Sequence, residues 1–128
     1  MRIYGLDRLE NVELTTERFS MPRDFNAKEY FSTFFGIVTD ENVAVERIVI
    51  RAYKQHQQYV RSLPIHSSQK ELYACDAYAD FELRLRPTYD FVMELLHAGN
   101  MIEVMEPKTL RHTMKEWTKS LWELYKQD

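Results

Sequence analysis

The most regular alternation of apolar and polar residues lies in residues 79–86. Apolar and charged side chains take alternate positions there, with Phe81, Leu83 and Leu85 on one face and Glu82, Arg84 and Arg86 on the other. A period of two predicts a β-strand that turns one face to the core. Residues 71–76 precede it across a short turn and predict the other arm of a hairpin.

Two further segments predict strands. Residues 43–53 are rich in β-branched side chains and place Ile48, Ile50 and Ala52 on one face. Residues 101–105 form a short apolar run after Gly99. The chain therefore carries four strand signals from Val43 onward.

Apolar residues three and four positions apart predict helices between and after these strands. The longest such pattern spans residues 108–126 and forms one stripe, which we expect to pack on the core: Leu110, Met114, Trp117, Leu121 and Tyr125. A short helix is predicted over residues 54–62. Another is predicted from a cap at Thr88, with Asp90 in its first turn, to a stop at Gly99.

A helix nearer the N-terminus is predicted from its capping residues. Asn26 stands at an N-cap position, and Glu29 follows three residues later. We expect the helix to run to about Phe35, where Gly36 supplies a left-handed stop. Its aromatic face is expected to be core: Phe31, Phe34 and Phe35.

From Val43 onward the predicted order is β-α-β-β-α-β followed by a long helix, which is the ferredoxin-like arrangement of an α+β fold. Residues 2–19 resemble an opening strand, and the capped helix completes the lead-in. Pro22 interrupts this region, so a boundary is expected near residues 20–24.

Composition limits the class of protein. The 128 residues are 45% hydrophobic and 29% charged, as in an ordinary globular domain rather than a disordered segment. The net charge of −3 argues against binding nucleic acid by bulk electrostatics, although a local basic patch is still allowed. Cys75 is the single cysteine, and no signal peptide or membrane-spanning run is visible, so we expect a cytoplasmic protein.

The sequence contains no recognisable catalytic constellation. Its four histidines lack metal-ligand spacing, and its three glycines are too scattered to form a phosphate-binding loop. We expect Cys75, on a predicted strand, to be a buried and inert thiol. A cysteine nucleophile paired with a distant histidine stays open as an alternative. We therefore predict a protein that is not an enzyme and uses no metal or cofactor.

Several segments, in this order and spacing, resemble the C-terminal half of bacterial WYL-domain transcriptional regulators: residues 6–9, 19–25, 63–69 and 99–111. The resemblance implies that residues 1–20 are the terminal strand region of a WYL (Sm-like) domain. It also implies that residues 21–128 are the ferredoxin-like extension called WCX. The Trp-Tyr-Leu tripeptide and the earlier barrel strands are not found in the chain.

The resemblance also suggests an effector site. On a strand, Arg2 and Arg8 point to one face. Family arginines in this region are associated with a pocket for a nucleotide or nucleic-acid-like ligand, and guanidinium groups suit phosphate oxygens. Gly5 replaces a second arginine that is common in the family. The alternative for Arg2 and Arg8 is an ordinary solvated face.

The loop at residues 63–69 is a second candidate. The resemblance implies that it contacts a neighbouring WYL domain, so Arg61, His66 and Gln69 are predicted interface residues. The alternative is loop geometry alone, with turn chemistry around Pro64. If the interface reading holds, alanine at His66 and Gln69 weakens assembly and leaves the melting temperature nearly unchanged.

The leading interpretation is a non-enzymatic effector-sensing and dimerisation module of a transcriptional regulator. The resemblance places the DNA-binding helix-turn-helix outside this chain, so DNA is contacted only through that domain. A homodimer is expected because two DNA-binding domains must match the two half-sites of a DNA operator. Trp122 lies off the apolar stripe and is the predicted interface anchor. The alternative is a stand-alone domain that binds a small ligand or single-stranded nucleic acid and presents Tyr53, Tyr73 and Tyr78 for stacking.

Overall fold

The computed structural model describes residues 5–20 and 22–126, and its centre is a four-stranded sheet. The strands are β1 (Glu46–Tyr53), β2 (Lys70–Ala74), β3 (Tyr78–Leu85) and β4 (Ile102–Glu106). The helices are α1 (Ala27–Phe31), α2 (His56–Ser62), α3 (Tyr89–His97) and α4 (Lys108–Tyr125). Two short 3-10 turns occur at Leu6–Arg8 and Gly99–Met101. The predicted elements from Val43 onward are thus confirmed, with ends shifted by at most three residues.

The sheet has the strand order β2-β3-β1-β4, and every neighbouring pair is antiparallel. A tight turn joins β2 to β3, and the longer connections that carry α2 and α3 each pass over one intervening strand. This is the split βαβ arrangement twice over. The predicted α+β, ferredoxin-like fold is confirmed.

One face of the sheet forms the core. Ile48, Ile50 and Ala52 of β1 are fully buried opposite the equally buried apolar residues of β3. Helix α3 closes this face with Phe91 and Leu95. Each large side chain buried in this way stabilises the fold by roughly 1.5–3 kcal/mol. The period-two pattern therefore identified the core face correctly.

Helix α1 is shorter than predicted. Asn26 caps it as expected, with its side chain accepting a hydrogen bond from the Glu29 N–H at 3.3 Å. The helix ends at Phe31 rather than Phe35, because the Thr33 carbonyl accepts a hydrogen bond from the N–H of Arg86 at 2.8 Å. The chain leaves the helix to meet the end of β3. Among the aromatic residues, Phe34 is buried and Phe35 packs on the core, but Phe31 is exposed.

The opening strand is not formed in residues 5–20. Leu6–Arg8 is a 3-10 turn, and all sixteen of these residues are exposed. A strand is stable only when its backbone groups pair with another strand. The described part of the chain pairs no strand with this segment. The prediction of a strand here is therefore wrong for residues 5–20.

Thr88 precedes α3 as predicted, but its side chain does not cap the helix. Its hydroxyl is buried, and no residue of the described ranges forms a hydrogen bond with it. The capping bond expected from the sequence is therefore wrong, although the helix start is right.

Candidate functional site

The distal half of α4 projects from the body of the fold. Every residue from Lys115 to Trp122 is exposed. Of the predicted core stripe, only Leu110 is buried, and Met114 is partly buried against the core. The expectation that the whole stripe is core is wrong, because the sheet is too short to cover an eighteen-residue helix.

The uncovered part of α4 carries a set of large apolar side chains that are 40% to 77% exposed: Trp117, Leu121, Trp122, Leu124 and Tyr125. The Trp117 ring lies near that of Tyr89, with centroids 6.3 Å apart. The Lys126 ammonium lies 5.3 Å from the centroid of the Trp122 ring. We call this set the distal face. The predicted exposure of Trp122 agrees with the structure, and its role in an interface stays a prediction.

The proximal half of α4 forms one wall of a groove of about 690 Å³. The opposite wall comes from β4 and from the end of α3 with the turn after it. The groove is lined by apolar residues, Leu96, Ile102, Val104, Met114 and Leu121, and by cationic ones, Lys108, Arg111 and Lys115. We call it the α4 groove. Its size falls within the range usual for small-molecule sites.

Glu103 is the carboxylate of the α4 groove, and it is fully engaged. Its Oε2 accepts a hydrogen bond from the Tyr53 hydroxyl at 2.5 Å, and its Oε1 lies 2.7 Å from an Arg111 nitrogen. The Tyr53 bond and then Arg111 lower the pKa of Glu103, so it is ionised at neutral pH. Arg111 also donates to the Val104 carbonyl at 2.5 Å. These contacts fix the groove wall.

Lys108 and Lys115 are exposed at the rim of the same groove. Within residues 5–20 and 22–126, neither forms an ion pair. The groove is therefore apolar inside and carries positive charge at its edge. Sequence reasoning missed it, although the recurrence of basic residues at three- and four-residue spacing along α4 was a usable signal: Lys108, Arg111, Lys115 and Lys119.

The Gln69 side chain holds the loop at residues 63–69 through two hydrogen bonds to the backbone. Its side-chain oxygen accepts a hydrogen bond from the Ile65 N–H at 2.9 Å, and its amide nitrogen donates to the Val60 carbonyl at 2.8 Å. Gln69 thus joins the end of α2 to the start of β2. Both hydrogen bonds are within the chain, as expected if Gln69 serves the geometry of the loop and not an interface.

His66 also bonds inside the loop. Its Nδ1 lies 2.8 Å from the Ser68 hydroxyl and accepts from the Ser68 N–H at 3.2 Å. Ser68 in turn accepts from the N–H of Arg84 at 2.8 Å. Burial lowers the pKa of His66. A contact of His66 with another domain stays a prediction.

Arg61 is paired within the domain. Its Nε lies 2.5 Å from a carboxylate oxygen of Glu71, and its terminal nitrogen donates to the Gln57 side chain at 3.2 Å. The pair links α2 to the edge strand β2. The predicted interface role of Arg61 stays a prediction.

Of the two predicted effector arginines, Arg8 lies within the described residues. Arg8 is exposed at the end of the 3-10 turn. Arg2 lies outside the described residues. An effector pocket at this end of the chain therefore stays a prediction.

The three tyrosines of the alternative interpretation do cluster. The Tyr78 ring lies 5.7 Å from that of Tyr73 and 6.4 Å from that of Tyr53. However, the Arg51 guanidinium lies 3.8 Å over Tyr78 and is paired with Asp80 at 2.7 Å. A base stacking on the same face of Tyr78 has to displace this arginine, which disfavours that face as a nucleic-acid platform.

Residues 5–20 and 22–126 hold no cluster of three metal-ligating side chains. None of the helices in this part of the chain combines the length and apolarity needed to cross a bilayer.

Comparison with known proteins identifies a matching domain family. No curated protein matches the chain. The family model described as the WCX domain matches residues 44–122, more than half of the chain, and covers all four strands and most of α4. WCX is a regulatory-associated domain and not a known catalytic family. The chain therefore belongs to the WCX domain family, which is found in WYL-domain regulators.

Proposed function

We propose that this chain is a non-enzymatic regulatory module of a WYL-type transcriptional regulator and that it forms a homodimer through the distal face of α4. The DNA-binding domain of that regulator lies outside this chain. The WCX match supports the regulatory class. The uncovered apolar residues of α4 are the observation that carries the assembly.

The distal face has the character of an interface. Isolated exposed apolar residues are ordinary, but five large ones within nine residues of one helix form a continuous surface. Two of the five are tryptophans, which often anchor protein interfaces. A two-fold axis beside α4 lets the same face of each copy cover the other.

The polar residues in the same part of α4 fit this interpretation. Lys119, Ser120 and Glu123 lie between the apolar residues in sequence and on other sides of the helix. They keep one side of the helix hydrated while the apolar side is covered. Such a pattern favours two helices packed side by side over burial of the whole helix.

The test is the solution mass of the chain by size-exclusion chromatography with light scattering over a wide concentration range. We expect a dimer that dissociates on dilution. Trp122→Glu places a charge in the proposed interface and shifts dissociation to at least about tenfold higher concentration. Ser120→Glu adds the same charge to the same helix outside the distal face and serves as the matched control.

A chain that is monomeric at every concentration contradicts assembly through this face. Equal weakening by Trp122→Glu and Ser120→Glu also contradicts it, because the effect then reflects charge rather than position. Both variants alter exposed residues, so their melting temperatures stay close to that of the unmodified chain when all are measured at concentrations where the chain is monomeric.

We further propose that Arg8, together with Arg2, contacts a nucleotide or nucleic-acid-like effector in the intact regulator. Arg8 is exposed and available for such contact. Arg8→Ala in the intact regulator is expected to weaken effector binding without changing thermal stability. An unchanged affinity removes Arg8 from the site.

A further inference from the structure

We propose that the α4 groove binds an amphiphilic carboxylate, with its hydrocarbon chain on the apolar floor and its carboxylate at Lys108 and Lys115. This site lies in the WCX unit itself. It does not use Arg8, and it shares one residue, Leu121, with the distal face of the proposed dimer.

The floor of the groove suits a flexible hydrocarbon chain. It consists of aliphatic and thioether side chains from three elements, including Leu96 of α3, Ile102 of β4 and Met114 of α4. Methionine side chains adapt to irregular apolar ligands. Each methylene group removed from water contributes about 0.8 kcal/mol.

The charge at the rim selects an anion. Glu103, the acidic residue of the lining, is already neutralised by Arg111 and hydrogen-bonded to Tyr53. Lys108 and Lys115 then leave an excess of positive charge, although the whole chain carries −3. A ligand carboxylate restores neutrality at this one place.

The chemistry of the lining disfavours nucleic acid. Bases bind single-stranded sites by stacking on aromatic rings. The lining includes two aromatic rings, the His112 imidazole and Tyr53, and the Tyr53 hydroxyl is held by Glu103. An acidic peptide segment has suitable charge, but the groove volume of about 690 Å³ is that of a small-molecule site.

The test is isothermal titration of the chain with dodecanoate at concentrations below micelle formation. We expect saturable binding of one dodecanoate per chain. Lys108→Glu and Lys115→Glu are each expected to weaken the affinity about five- to tenfold, because each replaces an attraction by a repulsion at the rim. Lys119→Glu changes the same helix by the same charge but does not line the groove, and it is expected to change the affinity less than about twofold.

Dodecyltrimethylammonium tests the role of the head group, because it has the same chain with the opposite charge. We expect it to bind at least about tenfold more weakly than dodecanoate. Equal binding of both amphiphiles, or equal effects of Lys115→Glu and Lys119→Glu, overturns the proposal in favour of unspecific adsorption.

An absence of saturable dodecanoate binding also overturns the proposal. If a glutamate-rich peptide then binds with the same dependence on Lys108 and Lys115, the groove is a protein-docking site instead. Leu121 belongs to both the groove and the distal face, so light scattering of each variant with and without ligand is used to distinguish a change in dimer formation from a loss of groove binding.

Discussion

Asp90 and Gly36 hold each other in place at the start of α3. One Asp90 carboxylate oxygen accepts hydrogen bonds from the Ile37 and Val38 N–H groups, each at 2.8 Å. Gly36 precedes them with a φ of +68°, in the left-handed region. A Cβ at Gly36 would overlap the same carboxylate oxygen. The close approach of this loop to α3 therefore requires glycine.

Gly36→Ala is expected to destabilise the fold by about 2 kcal/mol or more, since it combines left-handed strain with a steric clash. Gly99→Ala is the matched control. Gly99 also has a positive φ, +60°, but a Cβ there meets nothing within 4 Å. It is expected to cost about 1 kcal/mol. Urea unfolding of both variants measures the difference, and equal costs contradict the account of Gly36.

The clash predicts a coupling between the two positions. Asp90→Ala removes two charge-assisted hydrogen bonds and is expected to cost about 2 kcal/mol. In that background, Gly36→Ala should cost less than in the unmodified chain, because the carboxylate is gone and only the Cβ of residue 90, 2.9 Å from the added Cβ, still has to shift. A double-mutant cycle by urea unfolding measures this coupling. Strict additivity of the two changes would show that Asp90 does not restrict Gly36.

Gln69→Ala is expected to lower stability by about 1–3 kcal/mol, because it leaves the Ile65 N–H and the Val60 carbonyl without a partner. Thermal unfolding against the exposed Gln58→Ala control measures the loss. This expectation replaces that of an unchanged melting temperature, which the sequence suggested for an interface residue. A Gln69→Ala variant as stable as the control, with assembly weakened, would restore the interface role.

His66 predicts a dependence of stability on pH. Burial lowers the folded-state pKa of His66, while the unfolded value is about 6.5. The unfolded state therefore binds the proton more readily, and the contribution of His66 is lost as pH falls below the unfolded value. The urea concentration at the midpoint of unfolding is expected to decrease as the pH is lowered from about 8 to about 5. His66→Gln should reduce this fall, and an identical pH dependence in the variant would exclude His66 as its source.

Local periodicity predicted most of the ferredoxin-like unit. The alternation of apolar and polar residues around Phe81 and Leu83 predicts a strand with one buried face, and both side chains are buried on one face of the sheet. The N-terminal lead-in was harder. The end of α1 depends on a bond between Thr33 and Arg86, which are far apart in sequence. Such a contact leaves no periodic signal.

The candidate surfaces show the same limit. The period of α4 identifies its apolar side, but it does not say what covers that side. The stripe was therefore assigned to the core from Leu110 to Tyr125, although burial ends near Met114. The α4 groove was missed because its walls come from three separate elements. Gln69 was recognised as a notable residue, but its two backbone partners become visible only in the folded loop.

The central claim is that two copies of the chain meet through the distal face of α4. An isotope-filtered NOE experiment on a mixture of labelled and unlabelled chains detects contacts between copies and nothing else. We predict intermolecular NOEs from the Trp122 indole and the Leu124 methyl groups to α4 of the other copy. NOEs confined to another exposed apolar residue, such as Leu72 of β2, or no intermolecular NOEs at a concentration where the dimer forms, would contradict the claim.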